Sequence, residues 1–163
     1  MDARATDAGR IEAIFLAQPE VGERVAVEQA RAHAGVGLEG DAFAVGGARG
    51  KDRAKVARDL TLIEAEAVEA LAEETGIELE LHEPRRNVVT RGIALNDLVG
   101  ARIAVGDAEC LVTELNEPCT HLESLTQPGV LKGLVHRGGL RAEIVADGLL
   151  RVGDEVRVLD GQA

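Results

Sequence analysis

The chain has 163 residues, 45% apolar and 29% charged, with 29 Asp and Glu against 18 Lys and Arg, giving a formal net charge of −11. That length suits one domain over 1–163, able to bury roughly 70% of its unfolded surface. A chain this acidic, with no Trp or Tyr, argues against a nucleic-acid partner, whose phosphates repel carboxylates and whose bases need rings to stack on.

The longest stretch free of Asp, Glu, Lys and Arg is eight residues, Ser124 to Leu131, against the roughly 20 that a membrane span requires. The N-terminus carries charges on both sides of a short apolar patch and has no signal-peptide core. Two Cys make no disulfide framework, so a reduced cytoplasmic setting and no membrane partner are expected.

In chain order, residues 10–17 (RIEAIFLA) and 23–34 (ERVAVEQARAHA) alternate apolar and charged side chains as half-buried strands do. Residues 35–50 hold six glycines and are expected to be loop, since each glycine costs a helix about 1 kcal/mol relative to Ala. Residues 64–75 (EAEAVEALAEET) predict a helix with Ile63, Ala67, Ala70 and Leu71 on one face, stopped by Gly76. Thr61 and Glu64 have capping-box spacing, although 61–63 reads equally well as the end of a strand. Residues 64–83 contain eight Glu and no Lys or Arg, expected to be a solvated face. Strands are predicted at 87–90, 98–106, 108–116, 141–146 and 154–160, short helices at 120–126 and 129–135, and turns at Gly148 and Gly153. The fold class expected is α+β and β-rich, a barrel with a few packed helices.

Cys119 lies in EPCTHLE (117–123), where Thr120 and Glu123 also have capping-box spacing. It would then precede a helix N-terminus, whose unpaired N–H groups favour a thiolate, with His121 close by as a proton acceptor or a positive charge. The competing reading is a small buried thiol without a chemical role. Cys110 alternates with Ala108 and Val112 as a core residue would. A Cys110–Cys119 disulfide is left open by the sequence, and no zinc-ligand spacing occurs.

Residues 84–95 contain Arg85, Arg86 and Arg91 and no acid, and residues 124–142 contain Lys132, Arg137 and Arg141 and no acid. Two such islands in an acidic chain can form a small anion site, because guanidinium forks recognise phosphate and nearby glycines admit backbone N–H groups. The alternative is that they pair with the abundant Glu. Asp41, in the glycine-rich LEGDAFAVGGARG (38–50), is a turn residue, an Arg partner or part of a site. His33, His82 and His136 stand isolated. No phosphate-loop, dinucleotide or nucleophile-elbow motif occurs.

Taken together, GLEGDAF (37–43), LTLIEAEA (60–67), RRNVVTRGIALNDLVG (85–100), EPCTHLE (117–123), LVHRGGLRAEI (134–144) and VGDEV (152–156) resemble, in order and spacing, the MOSC domain, the module named after the C-terminal part of molybdenum-cofactor sulfurase. The likeness runs from about Gly9 to Leu159. It implies a β-barrel-like fold that binds the molybdenum cofactor (molybdopterin), a small anionic pterin dithiolene with a terminal phosphate. It also implies one functional Cys that holds sulfur as a persulfide or ligates molybdenum, and Cys119 matches that position. Arg85, Arg86 and Asn87 match the Arg/Asn motif of the family, Arg137, Gly138, Gly139 and Arg141 the later Arg-Gly motif, and Gly40 and Asp41 the early Gly-Asp pair. Ala42 stands where many relatives carry Arg or a nearby His.

The chain is expected to lack the pyridoxal-phosphate desulfurase domain of full sulfurases and the extra barrel of larger reductase relatives. It is therefore expected to work independently of pyridoxal phosphate and to be loaded by a partner such as a cysteine desulfurase. The leading expectation is a cofactor-binding or sulfur-carrier protein. The alternatives are a molybdenum-dependent reductase of N-hydroxylated small molecules and a non-catalytic anion-binding barrel with Cys119 inert.

Overall fold

The computed structural model describes residues 8–19, 24–44 and 59–160. Eleven strands and three α-helices follow one another as β1 (Ala8–Ala17), β2 (Arg24–Val27), β3 (Gln29–His33), β4 (Gly37–Leu38), β5 (Leu60–Glu64), α1 (Ala65–Thr75), β6 (Val88–Arg91), β7 (Arg102–Val105), β8 (Ala108–Leu115), α2 (Thr120–Leu125), α3 (Val130–Gly133), β9 (Leu140–Ala146), β10 (Gly148–Arg151) and β11 (Glu155–Asp160), with a 3₁₀ turn at Leu95–Leu98. The main sheet runs β11-β7-β8-β9-β5-β6-β1-β2 and closes on itself through β11 and β1, so that seven strands form a barrel and β2 extends from β1 as an edge. All neighbours are antiparallel except β5 and β6, whose parallel pairing uses α1 as its crossover. A second sheet, β10-β3-β4, lies beside the barrel.

The β-rich α+β expectation holds. Inward-facing positions alternate along each strand: Leu60 and Leu62 of β5, Val88 of β6, Cys110 and Val112 of β8, and Leu140, Ala142 and Ile144 of β9 belong to one continuous apolar cluster. The lumen is thus filled with side chains, as a small barrel's is.

Several expectations change in detail. The single strand read at 23–34 is divided at Glu28, where the chain leaves the barrel sheet for the second sheet and the Glu28 carbonyl accepts Val152 N–H. Gly148 opens strand β10 rather than forming a turn. A Cβ there would lie 2.3 Å from the Asp107 carbonyl carbon, so close approach of two backbones is what requires glycine. The glycine-rich loop contains β4, and its residues 45–50 lie outside the described residues. The strand read at 98–106 begins only at Arg102, because Leu95 and Leu98 turn into the barrel cluster from the 3₁₀ turn.

Helix α1 buries Ala65, Ala67, Val68 and Leu71, with Ala70 at the margin, and ends at Gly76 in the left-handed conformation (φ 80°) with its N–H on Ala72 O. Its N-cap is Glu64 with no side-chain cap bond; the capping box fails because Thr61 belongs to β5 and its hydroxyl is engaged by Asn87. Nor are all eight Glu solvated. Glu64 accepts the Leu95 N–H at 2.9 Å and Glu66 the Gly92 N–H at 2.8 Å, stapling the 92–95 turn to the start of α1.

Candidate functional site

Strand register places three polar residues side by side on the outside of the barrel. Thr61 pairs with Arg141 across β5 and β9, and Leu62 pairs with Val88 across β5 and β6. Since Leu62, Val88 and Leu140 point inward, the preceding Thr61 and Asn87 and the following Arg141 point outward. Helix α1 covers this outer face only over the cluster of Phe15, Ile63, Val68 and Val89. Beside it a cavity of about 340 Å³ opens, its wall including Arg24, Asp41, Phe43, Thr61, Arg85, Arg86, Asn87, Asn116, Cys119, His121 and Arg141.

Both cysteines are free thiols, and they differ in every other respect. Cys110 is wholly buried inside the barrel. Burial, with smaller contributions from Asp59 and Glu109, pushes its thiol up to about 12. Cys119 is exposed and faces the cavity. It is itself the N-cap of α2, in extended conformation, and its carbonyl accepts the Glu123 N–H. Thr120 is therefore the first helical residue and not the cap. The carboxylate of Glu123 reaches Gly129 N–H at 2.8 Å instead of closing a capping box. His121, in the first turn of α2, is exposed on the same cavity wall.

The sequence candidates differ in what their polar atoms hold together. Asp41 is buried and accepts three hydrogen bonds, from Ala17 N–H (2.6 Å), Phe43 N–H (3.1 Å) and the Asn87 amide (3.2 Å). Asn87 also donates to Phe15 O and accepts from the Thr61 N–H. Buried Arg86 donates to the carbonyl oxygens of Pro84 (3.0 Å), Asn116 (3.0 Å) and Gly138 (2.8 Å), tying together the entrance to β6, the Cys119 segment and the turn before β9. Gly138 and Gly139 serve close packing. A Cβ on Gly138 would meet Asn116 O at 2.5 Å, and one on Gly139 (φ 104°) would meet Leu62 O at 1.9 Å. Arg137 lies off the cavity wall, paired with Glu74 on α1, and that pairing holds its guanidinium above and the Glu74 carboxyl below their ordinary values.

Arg85 and Arg141 do reach the cavity. Arg85 sits at φ 68°, a left-handed conformation that costs a non-glycine residue about 1–3 kcal/mol and persists where the surroundings impose it. Arg141 donates to Asn116 Oδ1 (3.1 Å) and Glu114 (2.8 Å). The segment ahead of Cys119 has one further tether: both oxygens of Glu117 are taken by the N–H and Nδ1 of His136. The backbone N–H is the main reason the Glu117 carboxyl lies below its usual range.

Arg24, Phe43, Asp59 and Asn116 also line the cavity and were not singled out by sequence, and Thr61, which lines it too, was read only as a helix cap or strand end. Phe43, one of only two Phe in the chain, offered a composition signal. The others sit in stretches whose local pattern is unremarkable and are gathered by strand register alone. Among the described residues no three His, Cys, Asp or Glu side chains come together to hold a metal ion, and no helix is long and apolar enough to cross a membrane.

The family model of the MOSC domain matches residues 23–157. Among solved structures, the YuaD protein from Bacillus subtilis superposes with a TM-score of 0.77 at 18% identity, over 95% of this chain and 97% of that one. YiiM from Geobacillus stearothermophilus gives 0.71 at 15% identity, over 93% and 75%. YiiM from Escherichia coli gives 0.62 at 18%, over 92% and 69%. No curated protein matches the chain. At these identities the structural likeness speaks for the fold.

Proposed function

Because the chain belongs to the MOSC-domain family, we propose that it is a molybdenum-cofactor protein in which Cys119 carries sulfane sulfur for the cofactor. The observation that carries this reading is that the exposed Cys119 thiol shares one cavity wall with the guanidinium groups of Arg85 and Arg141. The donor set fits an anionic pterin dithiolene. Arginine forks suit its phosphate, and a lone soft sulfur suits a metal that arrives with its other ligands attached. When bound, the cofactor supplies a molybdenum centre able to take a sulfur ligand. Arg85 and Arg141 would hold its anionic end and Cys119 would supply the sulfur, in a wall that includes Asp41, Arg86 and Asn87 and is backed by the close packing of Gly138 and Gly139.

Loading of Cys119 needs a persulfide donor, the product of a cysteine desulfurase. His121 takes the Cys119 proton, and the thiolate attacks the terminal sulfur of the donor persulfide. The donor S–S bond breaks with its electron pair leaving on the donor thiolate, a new S–S bond forms on Cys119, and no net oxidation occurs. Mass spectrometry of the protein after incubation with a cysteine desulfurase and cysteine tests this. The expected result is one added sulfur atom on Cys119, absent in Cys119→Ser. An unmodified Cys119, together with turnover of hydroxylamine-type substrates by cofactor-loaded protein, would move the assignment to a reductase.

A further inference from the structure

We propose that Arg24, whose guanidinium lies over the Phe43 ring, is a further oxyanion contact of this cavity, a residue outside the sequence motifs that mark the site. The inference rests on the cavity being the ligand site and adds to it a recognition element. Arg24 opens the edge strand β2, paired with Ala17 at the end of β1. Its guanidinium carbon lies 5.8 Å from the centroid of the Phe43 ring, and both residues line the cavity. A guanidinium over a ring is attracted by the ring quadrupole, and guanidinium N–H groups are suited to the oxygens of a phosphate-type anion.

The ring is held in turn by the scaffold. Asp41 accepts the N–H of Phe43 and the N–H of Ala17, and Ala42 N–H donates to Ala17 O, so the 41–43 turn is locked against the end of the β1–β2 hairpin from which Arg24 projects. Asp41 thereby builds the platform under Arg24. The carboxylates nearby keep their charge, but their oxygens are engaged by scaffold donors. Both oxygens of Asp41 accept N–H donors, both of Glu117 face His136, and Asp59 accepts the Ile144 N–H.

Inorganic phosphate is the probe, its affinity measured by titration calorimetry for the parent protein, Arg24→Gln, Phe43→Leu, the double variant, and Arg157→Gln as a surface charge control. Arg24→Gln is expected to weaken phosphate about tenfold, the loss of one charge-assisted bond, and Phe43→Leu about two- to fivefold. The double variant is expected to bind no more weakly than Arg24→Gln alone, because Phe43 acts through Arg24. Should Arg24→Gln fail to fold, Arg24→Lys, which keeps the charge and loses the planar fork, provides the same readout with a smaller loss. Affinity in Arg24→Gln equal to that in Arg157→Gln overturns the proposal, as does an equal effect of Phe43→Leu with and without Arg24. Absence of phosphate binding by the parent protein overturns it too, while sulfur loading of Cys119, read by mass, stands or falls separately.

Discussion

The inner and outer faces of one strand set carry opposite chemistries in this molecule. Leu60 and Leu62 of β5, Val88 of β6, Cys110 and Val112 of β8, and Leu140, Ala142 and Ile144 of β9 face inward, apolar and sealed. Outward residues one position away, Thr61, Asn87 and Arg141, form the floor of a polar cavity beside Cys119. The two cysteines mark the contrast: burial suppresses ionisation of one thiol, while the other is open to solvent and to arginines. The lesson is that the barrel is a frame and not a container. Its lumen is packed with apolar side chains, and the cavity opens where α1 leaves the outer wall uncovered.

The largest effect is expected at the joint between frame and cavity. Arg86→Gln removes a guanidinium that serves three carbonyl oxygens on separate segments and leaves buried acceptors unsatisfied. A loss of about 3 kcal/mol or more is expected in denaturant unfolding, with faster alkylation of Cys119 as its segment loosens. Arg86→Lys is not expected to restore stability, since a point charge cannot span the three acceptors. Full stability of either variant would mean that Arg86 is a ligand contact and not a clamp, breaking the distinction between frame and cavity.

That distinction also sets what the sequence could reveal. Alternation in strands such as 108–116 and the Ala/Glu-rich 64–75 segment are local signals, and the structure follows them closely. The acid-free Arg segments suggest an anion site in aggregate, and both contribute an Arg to one cavity wall. Which Arg faces the cavity depends on non-local pairing: Arg137 meets Glu74 on α1, and Arg86 meets the distant carbonyls of Asn116 and Gly138. Arg24 was illegible for the same reason, since nothing near it in sequence announces Phe43. Capping boxes failed twice because the Thr61 hydroxyl and the Glu123 carboxylate found tertiary partners, which local spacing does not encode.

A second, smaller effect sharpens the contrast between the thiols. A thiol reagent applied to the native protein is expected to modify Cys119 and to spare Cys110 until unfolding, with labelling located by peptide mass. Cys110→Ser is expected to cost about 1–3 kcal/mol, as a hydroxyl is introduced into an apolar lumen, without altering sulfur loading of Cys119. Native labelling of Cys110 would show that the lumen opens, and the two faces would no longer be chemically separate.

The smallest effect concerns Glu64, where the same barrel wall turns from lumen to helix. Burial, the dominant influence, raises its carboxyl above the ordinary 4.5; the Leu95 N–H acts in the opposite direction, and Glu66 and Asp97 add repulsion. A carboxyl raised in the folded state holds its proton more tightly there than in the unfolded chain. Its contribution to stability is therefore full below about pH 4.5 and is lost as pH rises through the folded value. Glu64→Gln keeps an oxygen for the Leu95 N–H and carries no charge. Its melting temperature is expected to match the parent's in acid and to exceed it by no more than a few degrees at neutral pH, the gap widening as pH rises. A gap of the opposite sign at neutral pH would mean that the charged form of Glu64 is what staples the 92–95 turn, and that this edge of the barrel relies on ionic contacts as the cavity side does.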